Sequence, residues 1–182
     1  HDGFSLRDLV TFAHKRNHAN GEGNRDGPDE VSWEGTAADA RALLVTLFAA
    51  RGTPMLGMGD ESGRSQGGNS NAWCQDFPLA WPPEDPALLR FVQRLAAARA
   101  AHPALHGAAP LTPETARWLH PDGAPFAEAD WPHAAALVLL LQEGADRALV
   151  ALNPARAAFA LALPAPRPGH RSPLRERTPP GR

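Results

Sequence analysis

Carboxylates and imidazoles are the groups that move protons and steady positive charge, and this chain sets four of them in two adjacent pairs, His1-Asp2 and Asp60-Glu61. Taken alone, a pair at the first two positions is a frayed end. Asp60 and Glu61 follow Gly57-Met58-Gly59, where a carboxylate either faces a site or caps a turn and holds a cation such as Arg64. The glycines are too few for a dinucleotide loop, since no third Gly and no helix start follow. A second group lies in the polar stretch from Gln66 to Asp76. Trp73 there can offer a ligand an apolar face and an N–H, or can pin the loop to the body of the protein. Asn69 and Asn71 can bond a ligand's hydroxyls or cap local turns. His14 and His18 stand at i, i+4 and would share one face if the segment from Leu6 is helical. No third ligand has matching spacing, so a solvated helix end is expected there and no metal site.

These residues need elements to position them. Thr36 followed by Asp39 is a capping box variant, and Ala40, Leu43, Leu44, Leu47 and Phe48 recur at helical spacing until Gly52. A helix is predicted over Ala37 to Arg51. The short apolar run from Pro54 to Met58, bounded by glycines, is predicted to be a buried parallel strand, which makes one α/β step. A long polar loop from Asp60 to Glu84, carrying Trp73 and Trp81, then leads to a second helix. Asp85 and Pro86 open that helix as cap and first residue, and Leu88, Leu89, Phe91, Val92, Leu95 and Ala98 form its apolar face before Pro103. A loop of that length without secondary structure is usually functional or disordered.

Beyond Pro103 the pattern changes to short runs split by Gly, Pro and Asp: Ala116 to Leu119, Ala134 to Leu141, Ala148 to Leu152 and Ala158 to Leu163. They are predicted to be strands of a small β domain. Leu137 to Leu141 is continuously apolar, so periodicity leaves strand and buried helical turn both open there. After Pro164 the chain is rich in Pro, Arg and Gly, and disorder is predicted.

Composition narrows the partners. With 182 residues, 43% of them hydrophobic, the chain suits one domain or two small ones with a core. Eighteen basic residues against 20 acidic give a formal charge of −2, which is no footprint for nucleic acid or an anionic membrane. A neutral partner is expected. The single cysteine, Cys74, excludes an internal disulfide and a Cys-built zinc site. No run approaches the ~18 apolar residues of a membrane helix, and no signal-peptide pattern opens the chain.

Several stretches, taken in order, resemble a known family. They are His1-Asp2-Gly3, Asn20-Gly21-Glu22-Gly23-Asn24-Arg25-Asp26-Gly27, the run from Gly52 to Glu61, the run from Gly67 to Asp76, Trp118 to Gly123, and Asp130-Trp131. The order and content resemble the last third of bacterial glycogen debranching enzymes, of the isoamylase type within the α-amylase superfamily. The resemblance runs from about Asp2 to Pro164, and the stretch from Gln66 to Asp76 is its most specific part. It implies an α/β fold: the C-terminal end of a (β/α)₈ TIM barrel over residues 1–103, from the close of strand 7 through helix 8. A small all-β C-terminal domain over 104–166 and a disordered tail over 167–182 would follow.

The same resemblance implies roles. Asp2 would be the transition-state-stabilising carboxylate, and His1 would donate a hydrogen bond to the same sugar. Asp60, Glu61, Asn69, Asn71 and Trp73 would contact an α-glucan, glycogen or its limit dextrin, whose α-1,6 branches are hydrolysed without cofactor or metal. The nucleophile and the acid/base of the family lie upstream of His-Asp, so the chain looks like a piece of a cytoplasmic enzyme, inactive by itself. A related isoamylase, pullulanase or trehalose-releasing hydrolase is an alternative. A non-catalytic glucan-binding or remnant protein is another. The sequence departs from the pattern at Ser32 to Thr36, which is shorter than expected, at Ser62, where an aromatic is usual, and at Trp73, where Tyr is expected.

Overall fold

The computed structural model describes residues 3–29, 31–75, 86–155 and 157–166. His1, Asp2, Trp81, the Asp85 cap and the expected tail over 167–182 lie outside the described residues. Within them the architecture is a set of helices joined to a three-stranded antiparallel sheet.

A single turn of helix, α1 (Leu6–Leu9), opens the described chain, with the Ser5 hydroxyl accepting from the Asp8 N–H at 3.2 Å. The main helix, α2 (Ala37–Ala49), starts where predicted. Asp39 reaches back to its start and accepts from the Thr36 N–H at 2.6 Å and the Thr36 hydroxyl at 2.9 Å, satisfying a donor that a helix start leaves unpaired. Its far end is closed from outside. Arg99, buried on α3 (Pro86–Ala101), donates to the carbonyls of Phe48 at 2.7 Å, Ala50 at 2.8 Å and Gly52 at 2.5 Å. One guanidinium thus satisfies carbonyls at and just beyond the end of α2 and places positive charge at the helix's negative end. The two helices pack together, and Leu44 and Val92 are among their buried residues.

The sheet follows a short helix, α4 (Pro103–His106), and has the order β1 (Ala116–Leu119), β2 (Leu137–Glu143), β3 (Asp146–Leu152). Leu119, Val138 and Leu140 form its core on one face, with Leu149 and Leu161 against them. The other face meets α4 near Leu141, which is fully buried. Cover on both faces of the central strand is why Leu137 to Leu141 shows no alternation, and it settles that run as strand. The β2–β3 hairpin turns in two residues, with Gly144 at φ 55°. Asp146 ties it to α4, accepting from the Ala104 N–H at 3.0 Å and meeting His102 Nδ1 at 2.9 Å. Arg51 adds a second tie, to the Ala104 carbonyl at 3.1 Å and Glu143 at 3.3 Å.

Three expectations are corrected. Pro54 to Met58 belongs to no strand, with Met58 already in a turn, and Met55 and Met58 are 83% and 76% exposed. A parallel strand takes its hydrogen bonds from strands distant in sequence, and the described residues hold none beside it. Ala158 to Leu163 is likewise no strand. It docks Leu161 on the sheet's core and donates from the Ala162 N–H to the Pro121 carbonyl at 2.7 Å. The segment after Leu6 is not one helix: α1 ends at Leu9, His14 forms a bridge with Val31, and His18 opens a 3₁₀ turn, so no shared histidine face exists.

Candidate functional site

The polar residues that the sequence singles out fall into two loops, joined side by side. One runs through residues 15–27 and the other through 60–75. Their joint begins at Asp8, wholly buried, whose carboxylate accepts from the Ser65 hydroxyl at 2.5 Å and the Gln66 N–H at 2.6 Å. Gln66 in turn donates to the Asn69 carbonyl at 2.8 Å and accepts from Arg64 at 2.6 Å. The second loop is therefore anchored to α1 before it reaches the asparagines.

At the centre lies a cluster of amides. Asn17 and Ser70 are fully buried, and Asn17 Oδ1 accepts from the Ser70 N–H at 2.8 Å while its Nδ2 donates to the Asp26 carbonyl at 2.9 Å. Asp26 Oδ2 accepts from Asn20 at 2.6 Å, Asn71 at 3.0 Å and Asn17 at 3.4 Å. Those bonds act on its acidity: the Asn20 amide first, then the Asn71 amide, hold the Asp26 carboxyl below its ordinary value against the opposing effect of burial. Lys15 is buried behind it and donates to the carbonyls of Asp26 at 2.9 Å and Gly27 at 3.1 Å, while pairing with Asp29 at 2.7 Å. Gly27 is required where the loops meet. Its φ is 68°, and a Cβ there would stand 2.9 Å from Asn17 Nδ2 and 3.0 Å from Ser70 Oγ.

Asn69 and Asn71 are both buried in this cluster. Asn69 donates to Asn20 at 2.7 Å and accepts from the Asn71 N–H at 2.8 Å; Asn71 donates to Asp26 and to Cys74 Sγ at 3.1 Å. Their amides bond protein groups. Trp73 is the opposite case. It sits in the 3₁₀ turn Ala72–Cys74 with 82% of its surface exposed, so its indole is a ledge rather than an anchor.

Asp60 and Glu61 occupy a separate 3₁₀ turn, Asp60–Ser62, between Gly59 and Gly63, both at positive φ. Asp60 is buried, accepts from the Leu6 N–H at 3.3 Å and lies 3.7 Å from Arg64. Burial pushes its carboxyl up, and the Leu6 N–H and Arg64 only partly offset that. Glu61 folds back to accept from the Gly59 N–H at 2.9 Å. Asp60 also lines a cavity of about 560 Å³ between α1, the start of α2 and the start of α3, with Arg7, Thr36, Arg41 and Leu88. Glu61, Asn69, Asn71 and Trp73 do not line it. The sequence-predicted residues thus divide into an exposed Trp73 on an asparagine-built base, and a carboxylate turn tied to that base through Arg64 and Gln66.

Sequence reasoning missed Asn17, Asn20, Asp26 and Ser70 as members of the joint. The available signal was the density of asparagine in both loops. Among the described residues no group of three or more His, Cys, Asp or Glu could hold a metal ion, and no helix is long and apolar enough to cross a membrane.

No protein-family model matches the chain. Individual proteins do. The chain is 42% identical over 190 aligned residues to a glycogen debranching enzyme of Pectobacterium atrosepticum, covering 90% of this chain. It is 39% identical over 189 aligned residues to the enzyme of the same name from Klebsiella pneumoniae, again covering 90% of this chain. A third, from Dickeya chrysanthemi, is 42% identical over 152 residues, or 72% of this chain. The chain is homologous to a part of these bacterial glycogen debranching enzymes, spanning 28%, 28% and 23% of their lengths.

Proposed function

We propose that this chain is the part of a glycogen debranching enzyme that closes the active site around an α-glucan and carries the C-terminal β domain. The observation that carries the reading is the 42% identity over 90% of the chain to a protein of that name. The reaction is hydrolysis of α-1,6 branch linkages in glycogen or limit dextrin, in the cytoplasm, by a retaining two-carboxylate mechanism with an oxocarbenium-like transition state. In that mechanism Asp2 stabilises the positive charge developing on the sugar at the cleavage point, and His1 donates a hydrogen bond to the same sugar. The nucleophile and the acid/base come from residues outside this chain.

Residues 1–103 complete a (β/α)₈ barrel whose active site lies at the strands' carboxyl ends, and 104–166 form the β domain. Trp73 presents its face to a glucose ring of the bound chain, and Asn69 and Asn71 support its loop. Asp60 and Glu61 shape the neighbouring exit turn.

A chimera tests the reading. Residues 1–166 are joined to the upstream portion of the Pectobacterium atrosepticum enzyme, and reducing ends released from limit dextrin are measured. The chimera is expected to hydrolyse the branches and to lose that activity with Asp2→Asn, while the 182-residue chain alone releases none. General acid catalysis alone is worth roughly 10² to 10⁴-fold, so the difference is large. Turnover by the isolated chain that Asp2→Asn abolishes overturns the proposal.

A further inference from the structure

We propose that Asn20 is a positioning residue for glucan binding, its single amide clamping both flanks of the Trp73 turn so that the indole is held ready before the sugar arrives. The inference rests on the reading of Trp73 as a glucan contact. Its geometric basis is independent of that reading. Asn20 Nδ2 donates to Asp26 Oδ2 at 2.6 Å, to the Asn71 carbonyl at 3.2 Å and to Asn69 Oδ1 at 3.3 Å. Its Oδ1 accepts from Asn69 Nδ2 at 2.7 Å and from Gln75 Nε2. Asn71 and Gln75 lie two residues before and two after Trp73, so one side chain grips the turn at each end.

Among the described residues the turn's own ties are short-range: the Asn71 amide meets Cys74 Sγ at 3.1 Å and the Asn71 N–H meets Asn69 at 2.8 Å. The turn is three residues of 3₁₀ helix closed by two backbone bonds, Cys74 N–H to Asn71 at 3.1 Å and Gln75 N–H to Ala72 at 3.0 Å. An indole that is 82% exposed gains almost no packing to orient it. Its direction is inherited from the flanks. The flanks are held by Asn20, whose amide combines two donors with an acceptor; Asp, Ala or Leu at the position would lose the donors. Asn20 is itself seated on the Asp26 carboxylate, which also receives Asn71. A loop ordered in advance spares the ligand the cost of ordering it, and losing that order weakens binding by about two- to tenfold per side chain released.

The experiment uses the 182-residue chain and soluble glycogen as probe, with retardation in glycogen-containing native gels giving the Kd. Near-UV circular dichroism against Trp73→Phe isolates the Trp73 band. Asn20→Ala is expected to weaken glycogen binding about three- to tenfold, to diminish the Trp73 band and to lower the urea midpoint of the far-UV signal modestly, since Asp26 loses its leading bond, while the unfolding transition stays cooperative. In a Trp73→Ala background the same substitution is expected to change binding no further. Unaltered binding with Trp73→Ala overturns the reading of Trp73 itself. Weakened binding with Trp73→Ala but not with Asn20→Ala overturns the positioning role alone, as does an Asn20 effect that persists without Trp73. If Asn20→Ala fails to fold, Asn69→Ala, which removes the reciprocal bond, is scored by the same measures. Failure of both to fold shows the clamp to be structural and overturns the proposal.

Discussion

Arg99→Ala tests how far one buried side chain holds the helical part together. The guanidinium is buried and donates to Phe48 in the last turn of α2, to its cap Ala50 and to Gly52 just beyond, at 2.5 to 2.8 Å. Bonds from a charged donor are worth about 1.5 to 3 kcal/mol each, but simple addition overstates the loss. Ala50 and Gly52 are exposed residues, so their carbonyls regain water when the arginine goes. Phe48 is half-buried, and its carbonyl is the one left without a partner, at a cost of about 1 to 3 kcal/mol. Adding roughly 1 kcal/mol for the helix-end charge gives an expected loss of about 2 to 4 kcal/mol. For a chain of this size that lowers the melting temperature by roughly 4 to 16 °C. Urea unfolding followed by far-UV circular dichroism measures it, and hydrogen exchange at Ala50, whose N–H closes the last turn onto Thr46 at 3.1 Å, locates it. Arg99→Met keeps the stem and removes the fork, so it is expected to fall close to Ala, with Arg99→Lys between. A loss below about 1 kcal/mol, or a Met variant as stable as the parent, refutes the reasoning.

Trp73→Ala is expected to leave folding almost untouched. A Trp side chain offers roughly 250 Å², and the fifth of it withheld from water is worth about 1 kcal/mol at most. A loss of 3 kcal/mol or more in urea unfolding would show the indole to be an anchor after all. The pH dependence has two parts of opposite sign. Asp26 and Asp146 have folded pKa values below the ordinary 3.8. At Asp26 the Asn20 bond leads; at Asp146 burial is outweighed by His102 and the Ala104 N–H. Their contribution is therefore present above that value and lost as pH falls through the depressed one. Asp60 is raised by burial, so its ionisation opposes folding at neutral pH and the penalty is relieved as pH falls toward 3.8. Urea midpoints from pH 7 to 2 should rise slightly and then drop; Asp60→Asn should abolish the rise, and Asp26→Asn should soften the drop. A rise retained in Asp60→Asn would count against the assignment.

What could be read from the residues depended on how local each instruction is. The start of α2 lies in Thr36 and Asp39, three positions apart, and Pro86 opens α3, so both helices were legible. The runs Ala134 to Leu141 and Ala148 to Leu152 were legible as strands, and they pair as the β2–β3 hairpin. The run from Pro54 to Met58 instructs burial but not a partner, because a parallel strand's bonding groups lie elsewhere in a chain, and in these residues Met55 and Met58 face solvent. The candidate site divides along the same line. Trp73 stood out in its polar, glycine-rich surroundings with an exposed ring and a pinned one both open, and the ring is exposed. Its support did not stand out. Asn20 and Asp26 meet Asn69, Asn71 and Gln75 across 45 to 55 residues, and each asparagine considered singly suggests only a local turn. Burial converts that local tendency into a long-range one. An amide removed from water must find partners, and across the two loops Asn20 finds the Asn69 amide, Asn17 finds Ser70, and Asn17, Asn20 and Asn71 share the Asp26 carboxylate.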